Sequence, residues 1–235
     1  MIPGVFAASL RRRSPIDVVD PHFASVTSLA HFDGHDDDGG VMTFEDVVPG
    51  RNWAVVGIGV RIDSELALFG RGSLSLGGSG GLRSNVVAGS NFGGLDFTVE
   101  LWLRVTAAGS GNRYVFDGRH TGIGNGTGLT LYVSSSTTLW VGAASSRAVG
   151  TVPSGSWCHV AAARKEGVLR TFIDGVQLDE QIDTRDYTGG QIIYLGQTLQ
   201  NSQRITGHMD DLRVTRGVAR YTEPFARPSR PFPTR

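Results

Sequence analysis

The chain has 235 residues, enough for one large domain with a sizeable core or for two small ones, and its 33 glycines accompany few stretches of helical period. Acidic and basic residues balance at 22 each, which removes the global field that nucleic acid or an anionic membrane surface would draw on. The lone cysteine, Cys158, excludes an intrachain disulfide and a cysteine-based zinc site, and no apolar run approaches the length of a membrane span.

Residues 1–25 show no clear period and contain Pro3, Pro15 and Pro21, which reads as an arm. Its apolar residues, Val5 to Leu10, precede Arg11, Arg12 and Arg13. A secretory signal has the reverse order, so no leader is expected and synthesis in a cytoplasm is. A strand is predicted at 28–32, followed by a polar loop with Asp36, Asp37 and Asp38. Further strands are predicted at 42–48, 54–62, 67–69 and 73–76. Residues 96–105 alternate most strongly: Phe97, Val99, Leu101, Leu103 and Val105 share one face, and Thr98, Glu100, Trp102 and Arg104 the other.

Strands at 114–116, 129–133 and 137–141 follow, the last two forming a hairpin around a serine-rich turn. Residues 157–164 and 168–173 are strands, and Asp174-Gly175 predicts a tight hairpin, because a type I′ turn needs positive φ at both central residues. Strands at 177–178, 191–195 and 208–215 complete the set. This many short strands, with turn signals at short spacing and no convincing amphipathic helix, predicts an all-β sandwich of two sheets.

Several segments, taken in order, resemble a known family. They are Leu29-Ala-His-Phe-Asp-Gly34, Thr43-Phe-Glu-Asp46, Phe69-Gly-Arg-Gly-Ser-Leu-Ser-Leu76, Asp96 to Leu103, Trp157-Cys-His-Val-Ala161, Phe172-Ile-Asp-Gly175, Tyr194-Leu-Gly196 and Gly207 to Arg220. Together they are similar to the laminin-G/pentraxin-like branch of the concanavalin A-like jelly rolls, and more narrowly to LamG-type domains of tailed-phage structural proteins. The resemblance covers residues 26–225. It leaves residues 1–25 as an N-terminal arm and 226–235 as a Pro/Arg-rich C-terminal tail. It implies a concanavalin A-like jelly roll of two antiparallel sheets, with ligands on a concave sheet or at loop tips.

The chemistry legible in the sequence is sparse. Jelly-roll glucanases carry their paired carboxylates on one strand as a Glu-x-Asp-x-x-Glu run, and retaining hydrolysis needs the two carboxyls about 5–5.5 Å apart. No such run is present; Asp179-Glu180-Gln-Ile-Asp183 is the nearest, so no enzymatic activity is expected. Asp210 is expected on the core face with Leu212 and Val214, where a carboxylate needs a partner. It either accepts backbone N–H groups or joins Asp33 at a structural calcium, a site that the resemblance suggests. No other cofactor is expected. The six histidines show no metal-ligand spacing on a helix.

Trp102 and Trp140 are candidate platforms for a sugar ring. The C-terminal stretch interleaves Arg216, Arg220, Arg227 and Arg230 with Tyr221, Phe225 and Phe232, and its prolines hold it extended. Arginine and aromatic residues are favoured interface anchors. With Arg11, Arg12 and Arg13, these residues are therefore expected to grip a protein partner rather than nucleic acid.

The expectation is a non-enzymatic virion structural protein, a decoration or head/tail accessory subunit docked through its terminal arms on capsid or tail subunits or on copies of itself. The alternative is a carbohydrate-binding receptor module of a tail fibre or spike, recognising a cell-surface glycan.

Overall fold

A computed structural model describes residues 19–34, 44–85, 89–106, 110–119, 128–142, 146–188 and 192–235. Arg11, Arg12, Arg13 and the Asp36–Asp38 loop lie outside the described residues.

The strands are β1 (Val26–Ala30), β2 (Phe44–Glu45), β3 (Asn52–Gly57), β4 (Val60–Asp63), β5 (Ser73–Gly77), β6 (Gly80–Ser84), β7 (Phe97–Val105) and β8 (Arg113–Asp117), then β9 (Thr130–Val133), β10 (Thr138–Gly142), β11 (Arg147–Thr151), β12 (Cys158–Lys165), β13 (Val168–Ile173), β14 (Val176–Ile182), β15 (Tyr194–Leu195) and β16 (Thr206–Arg216). One 3-10 turn, Phe23–Ser25, precedes β1. Sheet A runs β14-β13-β12-β7-β16-β5-β4, with β1 also paired to β16; sheet B runs β11-β10-β9-β8-β15-β6-β3-β2. The strand pairs in both sheets are antiparallel, as the jelly-roll reading requires.

The core lies between the sheets, and β7 shows why. Phe97, Val99, Leu101, Leu103 and Val105, the alternating set, all enter the main buried cluster, opposite Leu82, Leu131, Val141 and Leu195 of sheet B. Each such side chain stabilises by about 1.5–3 kcal/mol on leaving water. The Asp174-Gly175 turn has φ of 51° and 80°, the positive pair that its sequence demands.

Three local expectations are corrected. Residues 54–62 are two strands, not one: the tip Gly57-Ile-Gly59, with both glycines at positive φ, sends β3 into sheet B and β4 into sheet A. Residues 67–69 form part of a loop, whose amides bond to a carboxylate instead of a neighbouring strand. Asp210 is not on the face of Leu212 and Val214. A bulge at Asp211, φ 51°, shifts the register between Asp210 and Arg213 and places Asp210 opposite Trp102.

The residues just before β1 and the C-terminal segment also belong to the fold. Asp20 N donates to Arg235 O at 2.7 Å, and Phe232 packs with Val26 and Leu29 in a cluster of its own. The segment from Tyr221 to Phe232 lies on the outer face of sheet A, where Tyr221 and Phe225 cover Ala161, Ala163 and Phe172.

Candidate functional site

The two sheets turn different faces outward, and each carries residues with possible function. On sheet A the strand order β12-β7-β16 sets side chains in rows. His159, Trp102 and Asp210 form one row, and Glu100 and Arg213 face each other in the next. Glu100 is fully buried. Its Oε1 accepts from Arg213 Nε at 2.9 Å, and its Oε2 accepts from Tyr221 Oη at 2.8 Å and from His159 Nε2 at 3.1 Å. An ionised carboxylate is an acceptor only, so His159 presents an N–H at Nε2. Burial alone would raise the Glu100 carboxyl, but the charge of Arg213 and these hydrogen bonds outweigh it and lower the pKa to about 2.

Asp20, just before β1, extends the network to Arg220 in the segment after β16. It holds Arg213 at 3.1 Å and both terminal nitrogens of Arg220 at 2.7 and 3.0 Å. This ion network fastens Asp20 and the segment from Arg220 to Tyr221 to sheet A. Among the described residues, no second carboxyl faces Glu100 across an open cleft, the arrangement that glycoside hydrolysis uses.

Trp102 is only 2% exposed. Phe69 meets its ring edge-on at 5.6 Å, and the Arg227 guanidinium lies 5.1 Å from the ring centroid. Its expected role as an open sugar platform is therefore corrected for this conformation: the C-terminal segment covers the face that the alternation exposed. For the same reason Arg220, Tyr221, Phe225, Arg227 and Phe232, expected to reach towards a partner, are engaged within the chain. Arg216 and Arg230 are exposed.

Asp33 and Asp210 address one loop from two sides, but what they meet there are donors. Asp33 Oδ1 accepts from the amides of Arg71 and Gly72 at 2.5 and 3.4 Å, and Asp210 Oδ2 accepts from those of Leu68 and Phe69, both at 3.1 Å. Calcium needs six to eight oxygen ligands. Here N–H groups fill the space, and among the described residues no three of His, Cys, Asp and Glu gather at metal-holding distance. The described residues do not fit a structural calcium. Burial, reinforced by the Asp211 charge, raises the Asp210 carboxyl to about 7.

Sheet B carries the other aromatic feature. Tyr114, Tyr132 and Trp140 face one another across β8, β9 and β10. The rings are near-parallel, with centroids 5.0 and 5.9 Å apart. Arg119 continues the row, its guanidinium 5.0 Å from the Tyr114 centroid and held in a two-pronged pair by Asp117 at 2.9 and 2.7 Å. Trp140, expected as a platform, is partly exposed at the end of this row. Sequence reading missed Tyr114 and Tyr132. The hairpin register could have shown Tyr132, because the serine-rich turn pairs it directly with Trp140.

The family profile Laminin_G_3, described as the concanavalin A-like lectin/glucanases superfamily, matches residues 76–220. No characterised protein matches the chain in sequence at a significant level. Among solved structures, domain 4 of AbnA, a GH43 extracellular arabinanase from Geobacillus stearothermophilus in complex with arabinotriose, aligns with a TM-score of 0.61 at 18% identity, over 83% of this chain and 94% of that one. The sialidase of Trypanosoma rangeli in complex with the inhibitor DANA aligns with a TM-score of 0.59 at 15% identity, over 81% of this chain but 30% of that one. The binding domain of botulinum neurotoxin DC in complex with SialylT aligns with a TM-score of 0.57 at 13% identity, over 83% of this chain and 49% of that one. At these identities the likeness concerns the fold.

Proposed function

The chain belongs to the concanavalin A-like lectin/glucanases superfamily, and we propose that it acts there as a non-catalytic carbohydrate-binding module through the outer face of sheet B. The observation that carries this reading is the row Arg119–Tyr114–Tyr132–Trp140, in which Arg119 and Trp140 are partly exposed and Tyr114 and Tyr132 show 8% and 9% of their surface. Aromatic rings present the apolar surface that the C–H face of a sugar requires, and Arg119, already oriented by Asp117, offers N–H donors beside it. One of the similar structures, aligned over 94% of its own length, holds arabinotriose, which agrees with this use of the fold. On a virion, the setting that the resemblance implies, such a module would face the host surface. Docking through the C-terminal residues would require that segment to leave its own sheet.

The test is a glycan array followed by calorimetry on the best binder, comparing the wild type with Trp140→Ala and Tyr132→Ala. Trp140→Ala is expected to weaken binding about tenfold, equivalent to ~1.4 kcal/mol. Either an array without a retained glycan or equal affinity in the two variants would overturn the reading.

A further inference from the structure

One row beyond Trp102, the outer face of sheet A is partly open. Arg61 of β4, Ser75 of β5, His208 of β16 and Arg104 of β7 stand in direct register on four adjacent strands. Adjacent strands lie about 4.8 Å apart, so these side chains share one narrow strip. Arg61 is exposed, His208 and Arg104 are partly exposed, and Ser75 shows 6% of its surface. Trp157, also partly exposed, meets the His208 ring edge-on at 6.4 Å.

The strip is short of negative charge. Asp63 lies beside it, and both its oxygens are engaged. Oδ2 accepts from His208 Nε2 at 3.1 Å and from Arg61 at 3.3 Å, and Oδ1 accepts from the Glu65 amide at 3.0 Å. That carboxylate offsets one guanidinium and leaves the other. Among the described residues Arg104 has no hydrogen-bond or ion-pair partner, and neither has the Ser75 hydroxyl. His208 Nδ1 is buried and also without a partner. Like charges on neighbouring strands repel, and a buried polar atom left unpaired is costly, so the strip lacks its complement.

The chemistry of the three groups defines that complement. His208 gives its Nε2 hydrogen to Asp63, so Nδ1 of the neutral ring is an acceptor. Burial, joined by the charges of Arg104 and Arg61, lowers the ring's pKa against the pull of Asp63 and keeps it neutral. Arg104 offers a charge and forked N–H donors, and Ser75 offers an O–H. The matching ligand is an anion that also carries a hydrogen. Sulfate and carboxylates only accept at neutral pH, whereas a hydrogen phosphate presents ionised oxygens together with a P–OH. Reaching Nδ1 requires a neighbouring side chain to shift, and Arg104, held by no hydrogen bond, is able to move and close on the anion.

We propose that the row Ser75–His208–Arg104, flanked by Arg61 and Trp157, binds a hydrogen phosphate, either the free ion or a small monoester. Arg104 donates to two phosphate oxygens, Ser75 donates to a third, and the P–OH donates to His208 Nδ1. The site shares no residue with the aromatic row on sheet B, so the two readings can fail separately.

The experiment uses the full-length protein at pH 7 and low ionic strength. Inorganic phosphate, phosphoserine, sulfate and acetate are titrated by calorimetry and by NMR of the histidine ring nitrogens. At least one of the two phosphates is expected to bind with a Kd of about 1 mM or tighter, and sulfate and acetate at least tenfold more weakly. The tighter of the two phosphates identifies the source as the free ion or an ester. Binding is expected to move the His208 Nδ1 resonance while leaving that of His159 in place. Arg104→Gln is expected to weaken phosphate about tenfold with an unchanged melting temperature. Arg104→Lys, which keeps the charge without the fork, is expected to lose about threefold and decides the matter should Arg104→Gln fail to fold. No binding of either phosphate, equal affinity for sulfate, a His208 resonance that stays in place, or full affinity in the folded Arg104 variants would each overturn the proposal. Non-specific attraction to the arginines gives the second of these results.

Discussion

The guanidinium of Arg213 sits over the ring of Phe232, 3.9 Å from its centroid, while its nitrogens hold Glu100 and Asp20. A residue of the last strand is thereby enclosed between a buried carboxylate beneath it and an aromatic ring from the C-terminal segment above. Phe232 also fills the space beside Val26 and Leu29. Phe232→Ala is expected to cost about 3 kcal/mol, at the lower end for a buried phenylalanine because a terminal segment relaxes easily. Urea denaturation checks the loss, and faster hydrogen exchange over 225–235 would accompany it.

Glu100 should make the protein acid-labile. Its carboxyl falls from 4.5 in the unfolded chain to about 2 in the fold, so its contribution is fully present above pH 4.5 and is lost as pH falls through about 2. That difference is worth on the order of 3 kcal/mol. Glu100→Gln removes the charge yet leaves Arg213 buried without its partner. It is expected to lower stability at pH 7 by about 3–5 kcal/mol and to flatten the acid limb of a stability–pH curve.

Asp210 acts with the opposite sign. Its carboxyl rises from 3.8 to about 7, so the folded state holds a proton that the unfolded chain releases. The stabilisation is complete below about pH 4 and fades as pH climbs through 7. In Asp210→Asn the melting temperature is expected to lose this slope between pH 4 and 7. A slope unchanged in the variant would show that other groups produce it.

Arg164 is a buried cation held by backbone carbonyls alone among its hydrogen-bond partners: Leu95 O, Gly93 O and Arg185 O, at 2.5–3.2 Å. The rings of Phe97 and Tyr187 flank its guanidinium at 4.9 and 4.8 Å. A lysine ammonium cannot span these three acceptors or stack between two rings. Arg164→Lys is expected to destabilise by about 2–3 kcal/mol, read by chemical denaturation, with the saccharide affinity of sheet B unchanged.

Cys158 should be inert. It lies in the core, and burial, with the Asp174 charge adding to it, raises the thiol to about 12. Iodoacetamide at pH 8 is expected to leave the native protein unlabelled over hours and to label it fully in urea.

The alternation of β7, the Asp174-Gly175 turn and the hairpin around residues 134–137 were legible because each depends on neighbours in sequence. The strand at Arg147–Thr151 was not, since its residues are largely exposed and carry no apolar alternation. Trp102 illustrates the limit at the site. Alternation correctly placed it on the face away from the core, but it could not show that residues more than a hundred positions later would lie on top of it. Asp210 failed through one residue: the bulge at Asp211 reversed the side-chain parity on which the core-face expectation rested.

The all-β class, the inward face of β7 and the Asp174-Gly175 turn are written in the sequence by itself, because local backbone preference and a period of two act over a few residues. Which outer face remains open and which is sealed was decided only in three dimensions. The carboxylates of Glu100 and Asp20 draw together arginines from β16 and the segment after it, and the removal of those charges from water is compensated only when distant parts of the chain meet.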